Sequence, residues 1–157
     1  MLLDIWAKQN TKHAVFYDVT WTGVVGEPSA QHRDIFAIVS RARDVGIKTV
    51  QSAISAGRQL AGWEVDHAVR EFIAKHGSAE QFFHRTWHSI GTTIHANGAN
   101  LDSLEIRDEG KSLPNSGFSV EPGIYLPNFA VRSEVDMLVR PDSAEVTGRI
   151  QTELVMI

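Results

Sequence analysis

The chain reads His84-Arg85-Thr86-Trp87-His88-Ser89-Ile90-Gly91 where a predicted loop enters a strand-like region, and His95 follows shortly afterwards. Three of the seven histidines in this 157-residue chain therefore fall within one short segment. A single histidine more often makes a structural hydrogen bond, but three such side chains in one loop favour catalysis or binding. We interpret the other four as surface or helix residues: His13, His32, His67 and His76.

Upstream of this segment, the sequence predicts a hairpin and two helices. Apolar, β-branched and aromatic residues fill 2–7 and 14–22, and a polar stretch separates them, which is typical of a strand hairpin. A helical region opens at Pro28-Ser29 and should end near Gly57. A second helix fits residues 65–76 and should end at Gly77.

Downstream of this segment, short strand-like runs alternate with turns. They cover residues 92–95, 118–125, 130–139 and 153–157. The order of hairpin, two helices and then strands predicts an α+β domain. We expect a curved, mainly antiparallel sheet with the helices packed on one face.

Four acidic residues lie inside the strand-like runs among apolar neighbours: Asp4, Asp18, Glu121 and Glu134. A carboxylate that is buried alone is costly and normally needs a partner or a metal ion. Any one of these acids taken alone also fits the solvent face of a half-exposed strand. Four of them, with a histidine cluster between them, favour a functional site.

The composition limits the classes of function. The net charge is -4 with scattered Lys and Arg, so neither a nucleic-acid surface nor a membrane surface is indicated. No apolar stretch approaches the roughly 18 residues of a membrane span. Because the chain has no cysteine, a metal site must use carboxylates and imidazoles. The first residues do not read as a signal peptide, and we expect a cytoplasmic protein.

The ordered set of acids and histidines resembles the pita-bread metallopeptidase family of methionine aminopeptidase, aminopeptidase P, prolidase and creatinase. That family has two aspartates on a hairpin, a His-x-x-Gly-His-x-x-Gly segment, a Glu-Pro-Gly-Ile-Tyr motif and a final Arg-x-Glu. This chain has, in the same order, Asp4, Asp18-Val19-Thr20, the histidine segment, Glu121-Pro122-Gly123-Ile124-Tyr125 and Val131-Arg132-Ser133-Glu134. The resemblance runs the length of the chain and is closest to the Xaa-Pro dipeptidase and aminopeptidase P branch.

The resemblance implies a pita-bread fold and a site for two divalent metal ions. The implied ligands are Asp4, Asp18, His88, Glu121 and Glu134. Two ions roughly 3.5–4 Å apart would share a bridging water that attacks the peptide bond. By ligand hardness Mn²⁺ fits best, with Co²⁺, Fe²⁺ and Zn²⁺ as alternatives.

The resemblance also implies catalytic roles and a substrate. Glu121 would carry a proton from the attacking water to the leaving amine. His84 and His95 would hold the substrate and stabilise the developing oxyanion. The implied reaction is hydrolysis of the N-terminal Xaa-Pro bond of short peptides.

Three features depart from the family pattern. Trp87 stands where glycine is usual, directly before His88, and predicts a shifted loop or a narrower substrate pocket. Trp21 stands where arginine is common. In the family a helical stretch and a strand precede the first aspartate, so we interpret residues 1–157 as the C-terminal part of the catalytic domain. We therefore expect weak or no activity of this chain alone, and either a homodimer or association with a missing N-terminal part.

Two other functions fit the same motifs. A creatinase-like amidinohydrolase would keep the fold and need no metal. A non-catalytic or inactive pita-bread module would instead bind a partner. The five retained ligand types favour the metallopeptidase over both.

Overall fold

The computed structural model describes residues 1–96 and 114–157, and its elements follow the predicted order of hairpin, helices and strands. The hairpin strands are β1 (Leu2–Ala7) and β2 (Tyr17–Val24), and the helices are α1 (Ala30–Ser55) and α2 (Gly62–Lys75), followed by a 3-10 turn at Ala79–Gln81. The later strands are β3 (Ser89–Ile90), β4 (Gly117–Val120), β5 (Gly123–Tyr125), β6 (Ala130–Arg132), β7 (Val135–Val139), β8 (Ala144–Thr147) and β9 (Val155–Met156).

Helix α1 begins and ends where the sequence predicts. The Ser29 hydroxyl accepts from the backbone N–H of His32, and the His32 Nδ1 atom accepts from the Ser29 N–H, so the first turn is capped from both sides. The helix ends before Gly57, which has a positive φ of 66°. Gly46 lies within the apolar pattern of α1 at a point of close packing. A Cβ at this position would lie 3.0 Å from a Val120 methyl group and 3.2 Å from a Val69 methyl group. Its missing side chain lets α1 pack closely against α2 and β4.

Helix α2 begins three residues earlier than the sequence predicts, at Gly62 rather than at residue 65. The Glu64 carboxylate accepts a 2.9 Å hydrogen bond from the Ala61 N–H and satisfies one of the free donors at the helix start. Val65, Val69 and Ile73 are fully buried and join the core.

The described strands form three small sheets that are mainly antiparallel. Their orders are β1-β2-β9, β3-β4-β7-β8 and β5-β6. The one parallel pairing among them joins β2 and β9. Helix α1 packs across β4, β5, β6 and β8, so the predicted α+β architecture is confirmed.

Three of the strand predictions need correction. Residues 92–95 form bends, and the strand of this region is instead Ser89–Ile90. Residues 118–125 and 130–139 each divide into two strands, with Glu121-Pro122 and Ser133-Glu134 between them. Proline at position 122 has no N–H to donate to a ladder, so a continuous strand ends before it. Strand β8 was not predicted.

The two strand breaks lie opposite each other, which brings two predicted ligands together. The register pairs Val120 with Val135 on one side of the breaks and Gly123 with Arg132 on the other. The Ser133 N–H donates a 3.3 Å hydrogen bond to the Pro122 carbonyl across the gap. Glu121 and Glu134 therefore leave regular strand geometry at the same place.

The β1–β2 hairpin has two chemically different faces. Cross-strand partners share a face, and the pairs of Asp4 with Thr20 and of Trp6 with Asp18 line the inner one. The alternate pairs, such as Leu3 with Trp21, lie on an outer apolar face where Leu3 is 50% exposed. Trp21 thus points away from the predicted ligands.

No helix within residues 1–96 and 114–157 combines the length and the apolar character that crossing a bilayer requires.

Candidate metal centre

Three of the predicted ligands form a buried cluster of metal-binding size. Asp18 comes from β2, His88 from the segment before β3, and Glu134 from the break between β6 and β7. One potential ligand atom of each lies within 4.8 Å of the others. The Nε2 atom of His88 lies 3.4 Å from an Asp18 carboxylate oxygen.

The other two predicted ligands meet at Arg132. One guanidinium nitrogen lies 2.7 Å from Asp4 Oδ2, and the other terminal nitrogen lies 3.1 Å from Glu121 Oε2. The remaining Glu121 oxygen lies 3.6 Å from the His88 Nε2 atom. Asp4 is exposed, whereas Glu121 is buried. All five predicted ligands therefore border one cavity, but only three of them form the compact cluster.

The cluster carries lone pairs that the surrounding protein leaves unused. Within the part of the chain that the structure describes, Asp18 Oδ1 and Asp136 Oδ1 are buried without a hydrogen-bond partner. Buried carboxylate oxygens normally accept hydrogen bonds or bind cations. The donor set of carboxylates and one imidazole therefore fits divalent ions that prefer oxygen and nitrogen ligands.

Neighbouring hydrogen bonds orient the carboxylates of the cluster. The Thr20 hydroxyl donates a 2.6 Å hydrogen bond to Glu134 Oε2. Asp136 accepts a 2.8 Å hydrogen bond from the backbone N–H of Asp18, which lies 118 positions earlier. These bonds tie β2 to β7 and to the strand break that precedes it.

The electrostatics of this region favour a bound cation. Burial raises the pKa of Glu134 to about 9, and the charges of Glu121 and Asp18 add to the rise. Burial likewise raises the pKa of Asp136 to about 7 and raises the pKa of Glu121. Burial opposes a charge on His88, but hydrogen bonding to Asp18 and the charge of Glu121 outweigh it and raise the His88 pKa. The acidic groups repel one another, and a cation would relieve that repulsion.

Asp136 is a site residue that the sequence interpretation missed. It lies in β7 between the buried residues Val135 and Met137. This is the same signal, an acid among apolar neighbours in a strand, that identified the four predicted acids. The family motif stops at Glu134, so the resemblance gave no reason to include it.

His84 lies at the cavity with both ring nitrogens engaged. Its Nδ1 atom lies 2.7 Å from the Arg85 carbonyl, which can only accept, so Nδ1 carries the proton of a neutral ring. Its Nε2 atom lies 2.8 Å from the Tyr125 hydroxyl and accepts from it. Burial lowers the pKa of His84, which favours this neutral form. Tyr125, the last residue of the Glu-Pro-Gly-Ile-Tyr motif, was not predicted as a site residue.

His95 has a more open environment. Its side chain is exposed, and its ring centre lies 4.6 Å from that of His88. Burial, the charge of His88 and the charge of Arg85 lower its pKa. Of the two predicted catalytic histidines, His95 is the more exposed.

Helix α2 holds the histidine segment in place through a buried ion pair. The Arg70 Nε atom donates a 2.7 Å hydrogen bond to Asp66, whose side chain is fully buried. Arg70 also donates to the carbonyls of Phe82 and His84, and the Thr86 hydroxyl donates to Asp66. The backbone on both sides of His84 is thereby tied to one helix.

The five predicted ligands surround a cavity of about 360 Å³. Its other lining residues are Trp6, His84, Arg85, Ile94, His95 and Arg132. Trp87 is fully buried against Phe118, at 3.9 Å between ring centres, and does not line this cavity. The expectation that Trp87 narrows the pocket is therefore wrong. Its side chain points into the core, whereas that of the adjacent His88 points into the site.

Comparison with known families is consistent with this geometry. A sequence profile of metallopeptidase family M24 matches residues 1–141 of the chain. The chain belongs to metallopeptidase family M24. The predicted family assignment is therefore confirmed, and membership of M24 implies divalent metal ions as cofactors.

The curated relatives of this M24 chain include several dipeptidases. It is 28% identical over 155 residues to an Xaa-Pro dipeptidase of Pyrococcus furiosus, covering 98% of this chain and 41% of that protein. It is 29% identical over 141 residues to an uncharacterized peptidase, YqhT, of Bacillus subtilis, covering 89% of this chain and 37% of that protein. The chain thus spans about two fifths of the length of these relatives.

Solved structures of dipeptidases share the fold. A dipeptidase structure from Pyrococcus horikoshii superposes with a TM-score of 0.81 at 27% identity, covering 99% of this chain and 40% of that one. The dipeptidase PepE from Mycobacterium ulcerans gives the same TM-score of 0.81 and covers 99% of this chain and 39% of that one. The predicted pita-bread fold is therefore confirmed for the part that this chain represents.

Proposed function

We propose that this M24 chain provides the metal-binding part of a peptidase that hydrolyses the N-terminal Xaa-Pro bond of short peptides. The observation that carries the proposal is the buried cluster of Asp18, His88 and Glu134, whose ligand atoms lie within 4.8 Å of one another. An Asp18 oxygen without a hydrogen-bond partner among the described residues gives this cluster unused capacity for a cation.

The proposed ligands for two ions are Asp4, Asp18, His88, Glu121 and Glu134. Divalent ions held by these side chains would supply a water of lowered pKa as the nucleophile and would polarise the substrate carbonyl. The oxygen-rich ligand set makes Mn²⁺ the proposed metal. Thr20 orients the Glu134 carboxylate, and Asp136 orients the Asp18 backbone. Both residues therefore support the ligands from outside the metal site.

The proton transfers are assigned to Glu121. Its burial raises its pKa, which suits a carboxylate that takes up a proton from water and delivers it to the leaving amine. The 3.1 Å bond from Arg132 holds its second oxygen in place. His95 is the proposed hydrogen-bond donor to the developing oxyanion, because in the neutral His84 ring Nε2 accepts from Tyr125.

The substrate class rests on the relatives and on the cavity. Curated relatives named Xaa-Pro dipeptidase include one from Lactobacillus helveticus that is 31% identical over 142 residues. A cavity of about 360 Å³ lies at the small end of ligand sites and fits a short peptide. Trp6 and Ile94 supply apolar surface beside the acids, against which a pyrrolidine ring can pack.

The unpartnered carboxylate oxygens favour the peptidase over the two alternative functions. A metal-independent amidinohydrolase gives no reason for a buried set of mutually repelling acids. A binding module without catalysis gives no reason for Glu121 to be positioned between His88 and Arg132.

The test measures metal content and turnover in the same preparation. After loading with Mn²⁺ and removal of free ions, we expect close to two bound ions per chain and weak hydrolysis of Xaa-Pro dipeptides or Xaa-Pro-Yaa tripeptides. Glu121→Gln should lower kcat by about 100-fold or more, while Glu80→Gln, which changes an exposed acid outside the cavity, should leave it unchanged. A preparation that binds no Mn²⁺, or turnover that survives Glu121→Gln, would contradict the proposal.

A further inference from the structure

A buried arginine of helix α1 has no part in the chemistry proposed above. Arg43 lies on the core-facing side of α1, between the buried residues Val39 and Val50, and is only 2% exposed. Arginine is almost never buried to this extent unless its charge is paired. Stability alone gives little reason for it, because a well-packed apolar side chain of similar size is often at least as stabilising.

Every nitrogen of the Arg43 guanidinium donates a hydrogen bond. Nε and Nη2 donate to one carboxylate oxygen of the partly exposed Asp44, at 3.0 and 2.8 Å. The third nitrogen, Nη1, donates at 2.6 Å to the Ser133 hydroxyl and at 2.8 Å to the Gln151 carbonyl. The charge is therefore paired on the helix itself, whereas the Nη1 donors bind residues far from it in the sequence.

The first of these acceptors, Ser133, lies directly before the proposed ligand Glu134. The family motif Arg-x-Glu leaves its position variable, so the resemblance assigns it no role. Arg132 and Glu134 line the cavity, whereas Ser133 is fully buried and does not. Glu134 is tied to β2 by the Thr20 hydroxyl, which donates to its carboxylate. The bond from Arg43 fixes the same strand break from the side of the helix.

The second acceptor, Gln151, connects the same nitrogen to strand β2. Its side-chain amide accepts from the Thr22 N–H at 2.9 Å and donates to the Thr22 carbonyl at 2.7 Å. The Thr22 hydroxyl in turn donates at 2.8 Å to the Arg132 carbonyl. One guanidinium nitrogen is thus linked both to β2, which carries Asp18, and to the break that carries Glu134.

We propose that Arg43 is a positioning residue of the metal centre: through Ser133 and Gln151 it keeps the break that carries one ligand and the strand that carries another at a fixed spacing. A planar guanidinium presents its donors in fixed directions, so the two acceptors of one nitrogen keep a set separation. Loss of a group that orients a metal ligand typically costs about 10–100-fold in metal affinity. The inference rests on the proposed function for the presence of the metal ions.

Calorimetric titration of the full chain with Mn²⁺ tests this role, on variants that circular dichroism shows to be folded. Arg43→Met and Ser133→Ala each break the bond between Nη1 and the hydroxyl, and each should lower the affinity for Mn²⁺ by about tenfold or more. The double variant should lose no more than Arg43→Met alone, because both changes break the same contact. Arg43→Lys keeps a cation with hydrogen-bond donors and should lose less than Arg43→Met.

Ser40→Ala is the matched control, because the Ser40 hydroxyl donates at 3.2 Å to the Ala37 carbonyl within the same helix. Its affinity for Mn²⁺ should equal that of the wild type. A merely structural role of Arg43 would lower the melting temperature of the metal-free variants and leave their affinity for Mn²⁺ unchanged. If Arg43→Met does not fold, the affinity of Ser133→Ala decides the test.

The outcomes separate this inference from the proposed function. Wild-type affinity in folded Ser133→Ala or Arg43→Met, or losses that add in the double variant, would overturn the positioning role and leave the metal site in place. A wild-type chain that binds no Mn²⁺ would overturn both. Weakened binding of Mn²⁺ in the two variants of a chain that hydrolyses no Xaa-Pro peptide would support the positioning role and refute the peptidase.

Discussion

Arg132 donates a 2.7 Å hydrogen bond to Asp4, although 128 positions separate the two residues. The same guanidinium donates to Glu121 at 3.1 Å. One cation thus compensates the two predicted ligands that lie outside the compact cluster of Asp18, His88 and Glu134. Arg132 and bound metal ions would share the task of neutralising these acids.

This sharing predicts that loss of Arg132 matters more without metal than with it. Arg132→Met should lower the free energy of unfolding of the metal-free protein by about 1.5–3 kcal/mol, because two charge-assisted hydrogen bonds are lost and Glu121 stays buried. The loss should shrink at saturating Mn²⁺, measured by thermal or urea unfolding. Arg140→Met, which breaks an exposed pair with Glu145, should change the stability by less than about 1 kcal/mol. An equal loss with and without Mn²⁺ would argue against metal ions at Asp4 and Glu121.

The Thr20 hydroxyl should matter for metal affinity. Thr20→Val keeps the shape of the side chain but removes the 2.6 Å hydrogen bond that orients Glu134. We expect the affinity for Mn²⁺ to fall by about 10–100-fold, as is usual when the supporting partner of a ligand is lost. Calorimetric titration with Mn²⁺ measures this. Thr49→Val is the matched control, since the Thr49 hydroxyl donates within α1 to the Val45 carbonyl. Unchanged affinity in Thr20→Val would remove Glu134 from the ligand set.

The raised carboxyl pKa values predict how the stability of the metal-free protein depends on pH. Glu134 moves from 4.5 to about 9 and Asp136 from 3.8 to about 7, so the folded state keeps protons that the unfolded chain has lost. Stability should therefore fall as the pH rises from about 4.5 to about 9. Glu134→Gln should flatten much of this decline. A free energy of unfolding that rises over the same pH range would contradict this prediction.

Mn²⁺ should reverse the fall in stability with rising pH, because the ligand side chains must give up their protons before they bind the metal. At an Mn²⁺ concentration near 100 times Kd, the melting temperature should rise by roughly 5–10 °C near neutral pH. The rise should be smaller at about pH 5, where protons compete for the carboxylates. Melting curves with Mn²⁺ and with a chelator measure the difference. Identical curves at saturating metal would count against a site that exists in the folded state.

The ion pair of α2 should determine the position of the histidine segment. Asp66→Ala leaves Arg70 and the Thr86 hydroxyl without their acceptor, so we expect a loss of about 3–5 kcal/mol in unfolding free energy. Asp66→Asn keeps an acceptor oxygen and should lose less. Glu71→Gln, which breaks the exposed pair with Lys75 on the same helix, should leave the melting temperature unchanged. A stable Asp66→Ala protein would mean that the segment is held by other contacts.

Local sequence was sufficient for the order of the elements and for the chemistry of the site. The ends of α1 follow from Ser29 and Gly57 because capping and positive φ depend on a few adjacent residues. Acids among apolar strand residues could be recognised because burying a carboxylate is costly without a function. The M24 assignment follows from the order of such motifs, and the family profile confirms it.

Strand boundaries near the site were harder to predict from the sequence. The breaks at Glu121-Pro122 and Ser133-Glu134 face each other across two strands, and each is supported by contacts of the other. Pro122 marks the first break in the sequence, but nothing local marks the second, because apolar residues recur at Val131, Val135 and Met137 on both sides of it. Asp136 has the same local signal as the predicted acids, but its contact with the Asp18 N–H, 118 positions away, is visible only in the structure.

The sequence by itself determined which side chains are available, namely the acids and the three clustered histidines, and where α1 and β4 end, at Gly57 and before Pro122. Only the tertiary structure decided their direction and their partners. It turned Trp87 into the core and His88 into the site, gave Asp4 to Arg132, and joined Arg43 to Ser133. The physical reason is that neighbouring side chains in extended backbone point to opposite sides, and which side is buried depends on elements that are distant in the sequence.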